Sequence, residues 1–325
     1  MYNFLIISSM KNNLFAVLVS AVFIFGFSSC NSKKAGDGQS AEGQAEGAAT
    51  ELAAFNYTPA EPVNGTKKAV VELGASGFNL FIIEVDKDKN WKALKKEFGS
   101  SLVAEGKTDF NEIKSKLQDY IQSILSFGVA GKDIHFVVSS GATKEPIIGT
   151  ITSALKKIGY FVNTVTPEQE AIYAFRCALP KGYEDKAFVV DLGSGNSKIS
   201  YMNGKEMAAK ETYGAKYFQK GVDDKTVYED VKAKVADIPA GNKETLFLIG
   251  GVPFKMAKML KKGDERFTVL STNLSDYDNL AKEEGDKMKS GLNIYKALLD
   301  ATGAKQVVFD WDANFTIGFL LGLKG

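Results

Sequence analysis

The chain has a single histidine and only two cysteines among 325 residues. That histidine, His135, lies in the apolar run 134–138 and reads as a packed strand residue. His/Cys metal sites and histidine-activated nucleophiles therefore have almost no material here. Charge of one sign is also scarce: 40 Lys and Arg stand against 39 Asp and Glu. No basic footprint for nucleic acid follows from that balance. The apolar run 14–27 is short for a helix that crosses a bilayer.

What that run does fit is an export signal. Lys11 precedes it, and Gly26-Phe27-Ser28-Ser29-Cys30 closes it. Met10-Lys11-Asn12-Asn13 makes a more usual charged start than the residues before it. A cysteine directly after small residues resembles the bacterial lipobox, with Phe27 where Leu is common. The resemblance implies a diacylated Cys30 and a protein anchored to a bacterial membrane, facing the periplasm; two acyl chains suffice for stable anchoring. Cys177 is then left without a partner in its chain and reads as a buried, inert thiol. Residues 31–67, rich in Gly, Ala, Ser, Gln and Glu, read as a flexible tether that spans on the order of 35 Å by random-coil scaling.

The body from residue 68 onward carries one pattern twice. Val70-Val71-Glu72-Leu73-Gly74-Ala75-Ser76-Gly77 is echoed by Val189-Val190-Asp191-Leu192-Gly193-Ser194-Gly195-Asn196. Each copy is a β-branched run, an acid, a Gly/Ser turn and a second apolar run, which predicts a hairpin. Glycines let such a turn approach a ligand closely, and successive backbone N–H groups in it form an anion-binding concavity. Further strands are expected at 102–104, 134–138, 160–165, 207–212, 246–249, 267–270 and 307–309. Helices are expected at 109–127, 147–158, 215–221, 224–236, 275–284, 292–301 and 315–323, and from Pro253. Thr166, Pro167 and Gln169 make a strong helix start. Strand–helix alternation with an opening hairpin in each half predicts two similar α/β domains around a cleft.

These residues resemble the actin/hsp70/sugar-kinase superfamily, and within it the exopolyphosphatase and guanosine pentaphosphate phosphatase (Ppx/GppA) family. The resemblance covers about 69–325. The motif 70–77 is similar to the family's first phosphate loop, and 191–197, ending in Ser197, to the second. Ser139 to Lys144 resembles the Ala-Thr-Ser-Ala-x-Arg stretch, and 166–171 the segment with Glu-Glu-Ala. Ile249-Gly250-Gly251 resembles the third glycine motif, and 318–322 the closing glycine-rich helix. The implied fold is α/β, with duplicated actin-like (ribonuclease H-like) domains, 68–185 and 186–325, around a central cleft, the last helix free to pack back on the first.

The resemblance implies a phosphohydrolase acting on polyphosphate or another phosphoanhydride or phosphate ester. Gly74, Ala75, Ser76, Gly77, Gly193, Ser194, Gly195, Asn196, Ser197, Gly250, Gly251 and Lys144 would hold phosphate. Asp191, helped by Glu72, would hold Mg²⁺ through waters. The water-activating base falls at Gln169 or Glu170, depending on alignment, with Glu168 beside them. The chain departs from the family at Glu72 (Asp there), Lys144 (Arg there) and, in the alignment that puts the base at Gln169, there too, since glutamine cannot act as a base. A degenerate cleft that senses a phosphorylated ligand or serves as a scaffold is the alternative, and an actin-like assembly protein a third; a homodimer is left open.

Overall fold

Two hairpins of matching sequence begin two sheets of matching strand order. The computed structural model describes residues 54–74, 77–100 and 109–323. Expectations for the export signal, Cys30, Ala75, Ser76 and a strand at 102–104 lie outside these residues.

The first half runs β1 (Thr66–Gly74), β2 (Gly77–Val85), β3 (Trp91–Ser100), α1 (Phe110–Ser126), β4 (Ile134–Val138), α2 (Pro146–Lys157), β5 (Val162–Thr164) and α3 (Pro167–Ala178). The second runs β6 (Ala187–Leu192), β7 (Asn196–Asn203), β8 (Glu206–Tyr213), α4 (Asp224–Val235), β9 (Thr245–Ile249), α5 (Gly251–Leu260) and β10 (Phe267–Leu270). It ends with α6 (Asp278–Glu284), α7 (Asp286–Thr302), β11 (Gln306–Asp310) and α8 (Phe315–Gly322). The first sheet has the order β3-β2-β1-β4-β5. The second, β10-β11-β9-β6-β7-β8, repeats it in reverse listing, with β10 added at the edge antiparallel to β11. The fold is thus mixed α/β with a duplicated sheet, as the sequence pattern predicts.

Local chemistry explains most boundaries. Asp109 caps α1 by accepting from the backbone N–H groups of Asn111 and Glu112, and Ile113, Leu117, Ile121 and Ile124 form its buried stripe. At α3, Thr166 and Gln169 complete a reciprocal capping box, with Pro167 in the first turn. The third strand of the first sheet comes earlier than expected. Its lysines suit an edge strand, and a register shift at Ile82/Ile83 interrupts alternation, so its pattern is obscured. The expected helix at 215–221 is only a short 3₁₀ turn, Tyr217–Lys220, closed by Gly221 at φ +67°.

The tether also ends sooner than its composition suggests. Phe55 packs its ring 5.4 Å from Phe247, 5.2 Å from Phe267 and 5.5 Å from Tyr183. Residues from Phe55 onward therefore join the body before residue 68. Composition hides this, because two aromatics suffice to dock a polar segment.

One apolar core is shared by both sheets. Val70, Phe81 and Val137 of the first meet Val189, Phe247, Ile249 and Val308 of the second, with α3 and α8 between them. The helices are exchanged: α3 packs on β6, β7 and β8, whereas α8 packs on β1 and β2, and the two touch each other. Gly318 makes that contact possible, since a Cβ there would sit 1.8 Å from the Tyr173 carbonyl oxygen. Gly318→Ala should destabilise the protein by about 2 kcal/mol or more, because backbone must move. Gly149→Ala, with open space around its Cβ, should be neutral or stabilising by up to ~1 kcal/mol. Urea unfolding of both variants checks the contrast.

Candidate functional site

Both acids of the repeated motif stand near the ends of their strands, and each faces the residue seven positions later across its hairpin. Glu72 pairs with Asn79 in β1–β2, and Asp191 pairs with Lys198 in β6–β7. Strand alternation puts Glu72 on the face of Val70 and Asp191 on the face of Val189, both turned toward the shared core. Asn79 donates to Glu72 Oε2 at 2.9 Å. Asn314, the N-cap of α8, donates to the same oxygen at 3.2 Å.

Glu170 comes to this place from the first turn of α3 and is fully buried. Its carboxylate accepts from the Ser140 backbone N–H at 2.5 Å and from Ser140 Oγ at 2.9 Å. Lys198 Nζ lies 2.5 Å from its Oε2. Asn196 Nδ2 reaches across to Ser140 Oγ at 3.4 Å and donates to Glu211 Oε1 at 2.6 Å. The loop after β4, the start of α3 and the hairpin β6–β7 therefore converge on one ion pair.

The electrostatics follow from three carboxylates sharing one ammonium. Burial raises the Glu72 carboxyl above its usual range; the Asn79 hydrogen bond opposes this, and the Asp191 and Glu170 charges add to it. Burial likewise raises Asp191, with Lys198 opposing and Glu170 adding. Burial pulls the Lys198 ammonium down, but Asp191, Glu170 and Glu72 outweigh it and hold its pKa above the usual lysine range.

Around this cluster the glycine turns are tightly built. A Cβ on Gly193 would lie 2.4 Å from the Asn196 carbonyl oxygen. Gly250 has φ +112°, and a Cβ on it would lie 2.3 Å from the Leu192 carbonyl oxygen. The third glycine motif thus abuts the second. Gly195 projects into open space, and Ser194 accepts from the Lys216 backbone N–H at 2.9 Å. Lys287 Nζ lies 3.7 Å from where a Gly251 Cβ would be. Burial and the charges of Lys216 and Lys255 lower the Lys287 pKa, which marks a concentration of positive charge beside Gly251.

Several expected residues fall elsewhere. Gln169 is exposed, and its Oε1 accepts from the Thr166 backbone N–H, so its side chain serves the helix cap and is turned away from the carboxylates. Glu168 is exposed on the same turn, away from the cluster. Of the three, only Glu170 reaches the carboxylates. Lys144 is solvent-exposed ahead of α2, and among the described residues no hydrogen bond or ion pair joins it to them. Ser197 is fully buried on the opposite face of β7 from Lys198, with Ile199 and Tyr201, and its hydroxyl has no partner among the described residues. Gly74 and Gly77 close the first hairpin as a cross-strand pair. Lys198, Ser140 and Asn314 went unrecognised in the sequence reading; the acid-to-partner spacing of seven, shared by both hairpins, was the signal for Lys198. Cys177 is buried, donates toward the Ala174 and Asn314 carbonyls, and burial pushes its thiol up, as suits an inert thiol.

Among the described residues no three His, Cys, Asp or Glu side chains form an all-protein metal cage. The donor set nevertheless fits Mg²⁺ held partly by water and phosphate. Glu72 and Asp191 offer hard oxygen donors, and buried negative charge exceeds the single ammonium.

Raised folded-state pKa values carry a sign. Ionising Glu72 and Asp191 costs the folded protein more than the unfolded chain, so their contribution to stability falls as pH rises through the window between the ordinary carboxylate range and the raised folded values. Glu72→Gln, which keeps an oxygen for Asn79 and Asn314, should raise the metal-free melting temperature at pH 7. The gain should fade below about pH 4, where the carboxyl is protonated in both states. Melting curves of wild type and variant in EDTA across that range check it.

No protein-family model matches the chain, and no curated protein matches it. Solved structures do share its fold. The Ppx/GppA enzyme of Aquifex aeolicus superposes with a TM-score of 0.62 at 16% identity, covering 79% of this chain and 99% of the other. An exopolyphosphatase from Cytophaga hutchinsonii gives a TM-score of 0.60 at 15% identity, covering 80% and 99%. An exopolyphosphatase-like protein gives 0.58 at 14% identity, covering 80% and 98%. At these identities the likeness is one of fold, and it extends over the whole body: this chain has the two-sheet α/β fold of Ppx/GppA structures.

Proposed function

We propose that the cleft binds the end of a phosphate chain, or a phosphate ester, and releases phosphate from it by attack of water. The observation that carries this reading is the gathering of Glu72, Asp191 and Glu170, drawn from both hairpins and α3, around the one ammonium of Lys198. Phosphoryl transfer asks a protein mainly for positioning and charge neutralisation. The turn at Ser194 and Gly195 offers backbone N–H groups to a terminal phosphate, and Lys216 and Lys287 offer charge to the phosphates behind it. Glu72 and Asp191 would hold Mg²⁺, which neutralises phosphoryl oxygens when bound. Glu170 takes the proton of the attacking water at a carboxylate oxygen.

One observation favours a second reading. Glu170 already accepts from Ser140 twice and is paired with Lys198, so both its carboxylate oxygens are engaged and none is free to meet a water. A protein that senses a phosphorylated ligand without turnover would have this arrangement. Purified body tested with polyphosphate and nucleotides in Mg²⁺ or Mn²⁺ separates the two. Hydrolysis predicts phosphate release that drops by two or more orders of magnitude in Asp191→Asn, on the scale of losing a transition-state charge stabiliser. Sensing predicts a ligand-dependent rise in melting temperature with no release. The absence of both effects overturns both readings.

The anchor belongs to the same proposal. Among the described residues no helix is long and apolar enough to cross a membrane. Attachment through acylated Cys30 would place the cleft outside the cytoplasm, where ATP is scarce and polyphosphate or phosphate esters are better substrates. Cys30→Ala should shift the protein from the membrane fraction to the soluble one.

A further inference from the structure

Lys198 sits where a phosphate site built on Glu72 and Asp191 would bring its metal. It is Asp191's cross-strand neighbour and touches Glu170, and its charge reaches Glu72 as well. It is 6% exposed, so water does little of its solvation. Its stem is a flexible four-carbon chain, and its head is a point charge that can change partners without the geometry an arginine fork demands. We propose that Lys198 is a resident counter-ion: paired with Glu170 beside Asp191, it supplies the positive charge that a divalent cation would otherwise bring to the carboxylates, and so weakens binding of that cation. The inference rests on the reading of Glu72 and Asp191 as metal-holding groups and adds that the chain's own lysine sets how tightly they hold.

Glu170 holds the ammonium at 2.5 Å, is fully buried, and is fixed by two donors from Ser140, so the charge is held beside the hairpin acid. In the first hairpin the equivalent position is Asn79, which is neutral and donates to Glu72. The repeat thus places a cation beside one acid only.

The test is Mn²⁺ binding to the intact chain and to two variants, measured by calorimetry and by melting temperature with Mn²⁺ against EDTA. Lys198→Met should bind Mn²⁺ at least about tenfold more tightly than wild type, melt lower in EDTA and recover in Mn²⁺. Because it leaves buried carboxylates uncompensated and can fail to fold, the double variant Glu170→Gln/Lys198→Met is measured beside it. That variant keeps the site's net charge equal to wild type yet lacks the ammonium on the strand beside Asp191, and it should also bind more tightly than wild type. Equal or weaker binding by the double variant, with wild type binding Mn²⁺ measurably, overturns the counter-ion role and leaves the metal site standing. No Mn²⁺ binding by any of the three overturns the metal-holding role of Glu72 and Asp191, and this inference with it.

Discussion

A buried ammonium stays charged only where anionic groups replace the water it has lost, and a buried carboxylate asks the same of cations. The centre of this protein is built around that mutual need. Lys198 from β7 stands among Asp191 of its own hairpin, Glu170 of α3 and, further off, Glu72 of the other hairpin. Each comes from a different segment of the chain, so the ion cluster exists only when both sheets and α3 are in place. Pairs of this kind add little net stability, but losing one partner costs about 3–5 kcal/mol. The cluster therefore acts mainly as a specification of how the two halves meet.

Much of this was readable in the amino-acid sequence, for reasons that differ by element. The hairpins were legible because glycine turns and β-branched runs are local signals, and the duplicated fold because they recur. The start of α3 was legible because a capping box needs only Thr166 and Gln169. The same box shows where local reading stopped. Gln169, Glu168 and Glu170 were alternatives for one role, and only helix phase against the partner sheet separates them: Gln169 turns back to its cap, Glu168 faces solvent and Glu170 points into the core.

Other misses share a cause. Lys198 was passed over despite its spacing of seven from Asp191, because nothing local says that its face of β7 is covered by α3. Resemblance put Ser197 in the phosphate turn; period-two alternation gives its hydroxyl the face of Ile199 and Tyr201, so only its backbone could serve there. Edge strand β3 was concealed by lysines and a register shift, and the docking of Phe55 by a polar neighbourhood. In each case tertiary burial decided what the residue type left undecided.

The exchange of α3 and α8 has a corollary. Each half of the chain lends its last helix to the sheet of the other, and Gly318 lets the loaned helices press backbone to backbone. A gene fragment encoding either half would leave one sheet bare and one helix stranded. The two halves, although duplicates in plan, each complete the other, and neither closes its own sheet alone.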